Sequence, residues 1–152
     1  FRGAKDRPCV CAPRDIARYE RKLSGPIVDR IDVWLSVAEV KPADLSATTK
    51  EETSDQMREQ VKKARDIQQR RFGQVKINLN AEMSAKQLGQ FVRLSDKLTQ
   101  LLNTSAERLG LSARAYHRVI KLARTIADLD GSADIQEPHL LEALQYRPKI
   151  NS

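Results

Sequence analysis

Residues 53–147 contain a series of amphipathic helical patterns, and most of them begin at a serine or threonine. Side-chain oxygens of Ser and Thr accept hydrogen bonds from the free backbone N–H groups of a first helical turn, so these residues mark helix starts. The segments between the patterns are short, which is typical of small helical bundles. We therefore predict a mainly α-helical domain over residues 53–152.

Each predicted helix has a defined start and an apolar face. The predicted helices start at Thr53 or Ser54, Ser84, Ser95, Ser112 and Pro138, and the first four end at Phe72, Phe91, Gly110 and Gly131. The residues predicted to face the core are Met57, Val61, Ala64, Gln68, Phe72, Leu98, Leu101, Leu102, Leu109, Tyr116, Val119, Ala123, Ile126 and Ala127. The last helix contains Leu140, Leu141 and Leu144.

Residues 1–52 carry different signals. A short helix is predicted over residues 13–24, ended by Gly25-Pro26. Apolar and other residues then alternate over residues 31–37, which predicts a β-strand. A lone strand needs partners for its backbone groups, so we expect it to pair in an oligomer or to belong to a larger sheet, and we favour the sheet. Residues 41–52 mix Pro, Ser, Thr and charge without periodicity, and we predict a linker there.

Composition limits the class of protein. No apolar run approaches the ~18 residues of a membrane span, and no signal peptide is expected. The pair Cys9 and Cys11 cannot join distant segments, so a reducing, cytoplasmic setting is expected. Two thiolates are also half of a zinc site, whose other ligands would lie before residue 1; the alternative is two ordinary thiols. No metal site is predicted from the residues present.

The net charge of +7 suggests an anionic partner. Basic residues are concentrated in two helical stripes, which suit contacts with nucleic-acid phosphates. The alternative is a solvated helix face. Aromatic residues make up only 5%, which argues against sequence-specific recognition of single strands. The nucleic-acid candidates are Arg58, Lys62 and Arg65 in one stripe, and Arg118 and Lys121, with Arg114, in the other.

No complete catalytic set is present. The glycine-rich phosphate motifs and the G-x-S-x-G nucleophile motif are absent. His117 and His139 lie within helical patterns, where surface or packing roles are commoner than catalysis. Arg114 is placed in the first turn after Ser112, where the helix dipole and free N–H groups favour an anion. It is either a phosphate-binding residue or one more solvent-exposed arginine.

Four segments together resemble a known family. They are CVCAPRDIARYERKLSGPIVDRIDVWLSV (9–37), ARDIQQRRF (64–72), LGLSARAYHRVIKLARTIADLDGS (109–132) and EALQYR (142–147). These segments resemble the C-terminal part of magnesium-chelatase-like AAA+ ATPases of the YifB/ComM group. The resemblance implies that residues 1–40 are the end of an AAA+ α/β core, and that residues 53–152 are the helical lid with the C-terminal domain.

The resemblance also implies roles for two arginines. Arg30, in the D-R-I-D motif, resembles an arginine finger that reaches the γ-phosphate bound by a neighbouring subunit; the alternative is an ion pair with Asp29 or Asp32. Arg114, in L-S-A-R-A, looks like a sensor-2 residue that contacts nucleotide in its own subunit. ATP and Mg²⁺ are implied for the full-length protein, in a homo-oligomeric ring, expected to be a hexamer. The Walker motifs would precede residue 1, so we expect no ATP hydrolysis by this chain alone.

Three functions stay open. The first is a role in an ATP-driven ring motor that acts on DNA, as the resemblance to members associated with branch migration implies. The second is a magnesium chelatase subunit that couples ATP hydrolysis to metal insertion into a porphyrin. The third is a non-enzymatic helical adaptor that docks a partner protein. Steeply salt-dependent DNA binding separates the first from the third.

Overall fold

The computed structural model describes residues 9–22, 27, 29–37 and 52–148. The chain divides after Ile31 into two units. Helix α1 belongs to the first unit and the remaining elements to the second. The described elements are α1 (Pro13–Glu20), α2 (Ser54–Phe72), a 3₁₀ turn η1 (Asn80–Glu82), α3 (Ala85–Phe91), α4 (Asp96–Leu109), α5 (Ala113–Leu129) and α6 (Glu137–Gln145). The prediction of a mainly helical chain is confirmed.

The predicted helix caps are formed. The side chains of Thr53, Ser84, Ser95 and Ser112 each accept a hydrogen bond from the backbone N–H three residues later, at 3.2–3.3 Å. Gly110 ends α4 with φ 59° and ψ 39°, a left-handed conformation that glycine adopts at low cost. These contacts are local, which explains why the sequence located the helix ends.

Helix α5 lies at the centre of the second unit. It contacts α2, η1, α3 and α6, and α4 packs against α6. The fully buried core side chains include Leu102, Val119, Ala123 and Ala127, as predicted, together with Leu140. Leu101, Tyr116, Ile126 and Leu144 are partly buried against this core. The apolar residues buried on α5 therefore lie at the centre of the bundle core.

Three residues predicted to face the core are exposed, and so is Leu141 of the last helix. Met57 and Val61 on α2 are 50% and 46% exposed, because the buried residues of α2 begin only at Ala64. Leu109 is the last residue of α4, and Leu141 is rotated about 100° around α6 from the fully buried Leu140. Helical periodicity gives the apolar face but not how far the partner helices extend along it.

The predicted strand at residues 31–37 is wrong for the described chain, which contains no strand. Val33, Leu35 and Val37 are exposed, whereas Trp34 is half-buried and its backbone N–H donates to the Tyr146 carbonyl at 2.9 Å. A strand forms only where a neighbouring segment completes its hydrogen-bond ladder, and no described segment does so.

Two other predictions concern residues that the structure only partly describes. The helix predicted over residues 13–24 is present as α1, while Gly25 and Pro26 lie outside the described residues. The predicted linker lies outside them too, except for Glu52. None of the described helices is long and apolar enough to cross a membrane.

Candidate functional site

Arg114 occupies the first turn of α5. The backbone around it is fixed, because Ser112 Oγ accepts from the Ala115 N–H at 3.2 Å and Ala115 is buried. The Arg114 side chain itself is exposed, and it makes no hydrogen bond or ion pair with the described residues. Its guanidinium is therefore accessible to an anion at the positive end of the helix.

Arg118 and Lys121 continue along α5, where both are half-buried. The Arg118 guanidinium pairs with the Asp32 carboxylate, and Lys121 Nζ donates to the Ala81 carbonyl at 3.0 Å. With Thr125 and Leu122 they line a cleft of about 210 Å³. Burial, followed by the nearby Arg118 charge, lowers the pKa of Lys121. Arg118 and Lys121, two of the nucleic-acid candidates, therefore already interact with acceptor groups of this chain.

The basic stripe on α2 is exposed along its length. Arg58 pairs with Asp55, and Lys62 pairs with Glu59 at 2.7 Å, each within one helical turn. The hydrogen bond with Glu59 raises the pKa of Lys62, so its charge is retained at neutral pH. Arg65 is exposed and has no ion-pair partner among the described residues. Of the three, Arg65 offers the most accessible charge.

Arg30 lies in the first unit and is exposed. Its backbone N–H donates to the Ile27 carbonyl at 2.9 Å, which places Arg30 in a turn. Its side chain makes no ion pair with the described residues, so the pairing alternative is not observed there. Asp32, in the second unit, binds Arg118.

The cysteines also lie in the first unit. Cys9 is half-buried and Cys11 is exposed, and the two are not joined in a disulfide. A hydrogen bond with Cys9 is the main cause that raises the pKa of Cys11. Within the described ranges, no group of three or more His, Cys, Asp or Glu side chains is arranged to hold a metal ion.

A buried polar network beneath α5 was missed by the sequence analysis. Asp128, at 1% exposure, accepts hydrogen bonds from Arg71 at 2.8 Å, Asn80 at 2.8 Å and Arg124 at 3.1 Å. Arg124 also donates to the carbonyls of Ser132 and Ala133, at 2.6 and 2.8 Å. The spacing of Arg124 and Asp128, four residues on one helix, was a signal for part of it.

The histidines have structural roles in the described chain. His139 is buried; its Nδ1 accepts the Gln136 backbone N–H at 3.0 Å and its Nε2 lies 3.3 Å from Asp130 Oδ2. It therefore caps the start of α6. His117 is half-buried, with its ring edge-on to Tyr116 at 6.1 Å. Both placements agree with the packing alternative.

Comparison with known families decides the assignment. The family model described as "Magnesium chelatase, subunit ChlI C-terminal" matches residues 51–147, more than half of the chain. The chain belongs to this family. A second model, "Magnesium chelatase, subunit ChlI", matches residues 2–45, so the ChlI family covers both Arg30 and Arg114. Helices α2 to α6 constitute the ChlI C-terminal region of this chain.

The chain is also similar to curated relatives. Competence protein ComM of Haemophilus influenzae is 43% identical over 140 residues, 91% of this chain and 27% of the relative. YifB of Escherichia coli, described as uncharacterized, is 38% identical over 138 residues, 90% of this chain and 26% of the relative. An uncharacterized Mycobacterium tuberculosis protein is 33% identical over 95% of this chain and 28% of its own length. The chain spans about a quarter of the length of these relatives.

Proposed function

We propose that this chain is the C-terminal, lid-containing part of an AAA+ ATPase that works as a ring, and that Arg114 contacts the bound nucleotide. The observation that carries the proposal is the placement of Arg114, exposed and without a described ion-pair partner in the first turn of α5. Membership in the ChlI family and the similarity to ComM support it.

Arg114 suits a sensor-2 role because of its surroundings. A guanidinium forms paired hydrogen bonds with phosphate oxygens, and the helix dipole adds to the favourable potential. The Ser112 cap and buried Ala115 hold the backbone while the side chain remains accessible. Binding a phosphate there breaks no ion pair between Arg114 and the described part of the chain.

Arg30 is the proposed arginine finger. A cation at that place neutralises negative charge that develops on the transferred phosphoryl group. The finger acts on nucleotide held by a neighbouring subunit, so the proposal requires a homo-oligomeric ring, expected to be a hexamer. Exposure of Arg30 in the first unit is compatible with such a contact.

ATP and Mg²⁺ are the proposed cofactors of the whole protein. Mg²⁺ would neutralise phosphate charge during phosphoryl transfer. Among the described residues, Arg114 is suited to bind the phosphate groups of ATP. The same residues contain no cluster of metal-ligating side chains. We therefore assign Mg²⁺ no ligand among them.

We propose DNA as the substrate of the motor, with branch migration in transformation as its activity and the cytoplasm as its location. The relative named Competence protein ComM supports this choice, together with the net charge of +7 and the exposed stripe on α2. In that stripe Arg65 is the best placed residue for a phosphate contact. The nucleic-acid candidates on α5, Arg118 and Lys121, would have to exchange their present acceptors for phosphate.

Metal insertion into a porphyrin is a second candidate function. The family description, which names magnesium chelatase, favours it. The two functions differ in what stimulates ATP turnover of the whole protein. Stimulation by a porphyrin and not by DNA supports the chelatase, and the opposite result supports the DNA motor.

Nucleotide binding by the Arg114→Ala variant of the whole protein tests the Arg114 role. Loss of a charge-assisted hydrogen bond should raise the Kd for ATP roughly tenfold. Lys86→Ala is a matched control, because Lys86 follows Ser84 as Arg114 follows Ser112 and is also exposed in a first helical turn. An unchanged Kd in Arg114→Ala with retained helicity contradicts the assignment.

A further inference from the structure

The cleft beside α5 is formed within the second unit. It holds about 210 Å³, and all of its described lining residues belong to that unit. Most of them recur along α5 at intervals of three and four residues, which places their side chains on one face of the helix. The others come from η1 and from the first residue of the unit. The lining residues are Arg118, Lys121, Leu122, Thr125, Ala81 and Asp32.

Two cations meet in this cleft, and both are partly withdrawn from solvent. The Arg118 side chain is 26% exposed, and Lys121 is half-buried. Burial, followed by the charge of Arg118, lowers the pKa of Lys121. The charged form of Lys121 is thus disfavoured both by desolvation and by its neighbour, and an anion in the cleft would offset both effects.

One anionic side chain of the chain itself already reaches the cleft. The Asp32 carboxylate pairs with the Arg118 guanidinium, 86 positions away in the sequence. Lys121 Nζ donates to the Ala81 carbonyl at 3.0 Å, so its charge has a neutral acceptor. One carboxylate faces two cations, and one positive charge of the described lining therefore remains uncompensated. The Asp32 side chain is 50% exposed, so a dissolved anion can reach the pair from solvent.

The hydrogen-bond donors of the two cations are only partly used. A guanidinium has five N–H donors and an ammonium has three. Among the described residues, Arg118 makes one hydrogen bond and Lys121 makes one. A terminal phosphate presents three oxygens and about two negative charges, so it matches these donors and charges better than a carboxylate. A phosphodiester of a DNA backbone carries only one charge and matches them less well.

We propose that this cleft binds a terminal phosphate group through Arg118 and Lys121, and that the Asp32 carboxylate is an internal competitor for the site. The ligand is a phosphate dianion, either free or at the end of a polyphosphate chain. Its binding breaks the ion pair and releases Asp32 from α5. Arg114 is not among the described lining residues, so the site does not depend on the nucleotide contact proposed for Arg114.

Calorimetric titration of the chain with pyrophosphate at constant ionic strength tests the site. Asp32→Asn should lower the Kd roughly tenfold, because a charge-assisted hydrogen bond no longer has to break. Arg118→Ala should raise the Kd roughly tenfold while the helical circular dichroism is retained. Glu137→Gln is the matched control, because it makes the same charge change and frees Lys97 from an exposed ion pair of 2.7 Å outside the cleft.

Three results would overturn the proposal. An unchanged Kd in Arg118→Ala removes the cleft as the site. Tightening in Asp32→Asn that is no larger than in Glu137→Gln removes the competitor, since any freed cation would then have the same effect. Absence of pyrophosphate binding by both the original chain and Asp32→Asn overturns both parts.

Backbone amide NMR locates the bound anion. Pyrophosphate should shift the signals of Ala81, Leu122 and Thr125, and Arg118→Ala should abolish these shifts. Shifts confined to the first turn of α5 around Arg114 overturn the cleft site and leave the proposed nucleotide contact intact. An unchanged Kd for ATP in Arg114→Ala has the opposite meaning, because it contradicts the nucleotide contact and leaves the cleft site standing.

The source of the phosphate is separated by three further probes. They are inorganic phosphate, ATP and a single-stranded oligonucleotide without terminal phosphates. Tightening of both phosphate and ATP by Asp32→Asn supports a site for any terminal phosphate, and tightening of ATP alone supports the end of a polyphosphate chain. Equal tightening of the oligonucleotide overturns the choice of a terminal phosphate, because its phosphates are all diesters.

Discussion

Arg71 and Asp128, 57 positions apart in the sequence, form a two-point ion pair where α2 meets α5. Asp128 is fully enclosed, and the Arg71 side chain is only 15% exposed. Arg124 approaches the same carboxylate from the preceding turn of α5. One carboxylate therefore joins two helices and pairs with two guanidinium groups inside the bundle.

Replacing that carboxylate should destabilise the second unit severely. Asp128→Ala leaves Arg124 buried without its counter-charge, and a broken buried pair costs about 3–5 kcal/mol of unfolding free energy. Urea denaturation followed by circular dichroism measures it. Lys97→Ala, which removes an exposed pair, should change the free energy far less. A loss below about 1 kcal/mol in Asp128→Ala contradicts a structural role for the network.

Two leucines on α4 test the position of the core. Leu102 is 0% exposed and Leu109 is 42% exposed, although the periodicity placed both on the inner face. Leu102→Ala should cost about 2–5 kcal/mol because it leaves a cavity, and Leu109→Ala much less. Similar urea midpoints for the two variants would show that the C-terminal end of α4 is packed against the core.

The pKa of Asp130 should depend on Ser132. The Ser132 hydroxyl donates to Asp130 Oδ2 at 2.6 Å, and this bond, followed by the one with His139, holds the pKa of Asp130 below its ordinary 3.8. Because the folded pKa is lower than the unfolded one, this interaction stabilises the fold above about pH 3.8, and the contribution is lost as the pH falls through the folded pKa. Ser132→Ala should raise the pKa of Asp130 in a carboxyl NMR titration. No change would rule out this hydrogen bond in solution.

The sequence predicted what local chemistry determines. Thr53, Ser95 and Ser112 mark helix starts because their side chains bond within their own first turn. Contacts between distant residues left no such signal. Nothing local to Arg71 indicates that its partner lies on α5, and the alternation around Trp34 predicted a strand that the described residues do not form.

For the candidate site, spacing identified the exposed basic residues but not their acceptors. The pairing of Arg118 with Asp32 joins residues 86 positions apart, which no helical periodicity encodes. Arg114 could be placed in a first turn from the Ser112 cap alone, since that geometry is local. Its role as a nucleotide contact came from the family resemblance and stays a prediction.

DNA binding by this chain should be electrostatic. We expect binding that weakens steeply with salt and is strongest on branched or single-stranded DNA. Arg65→Ala should weaken binding to all DNA forms and reduce the salt slope by about 1, as expected for a lost phosphate contact. Lys97→Ala removes the same charge elsewhere and should change the slope less. Absence of binding at low salt would make the α2 stripe a solvated face.

The most direct test of the account is ATP turnover in rings of the whole protein that contain Arg30→Ala subunits. Rings built only from the variant should lose roughly 10³-fold in turnover while each subunit still binds ATP, because the finger acts on nucleotide held by its neighbour. Mixed rings should lose activity as variant subunits are added, and Arg18→Ala on the exposed face of α1 is the control. Normal turnover in rings made entirely of Arg30→Ala subunits would contradict the account.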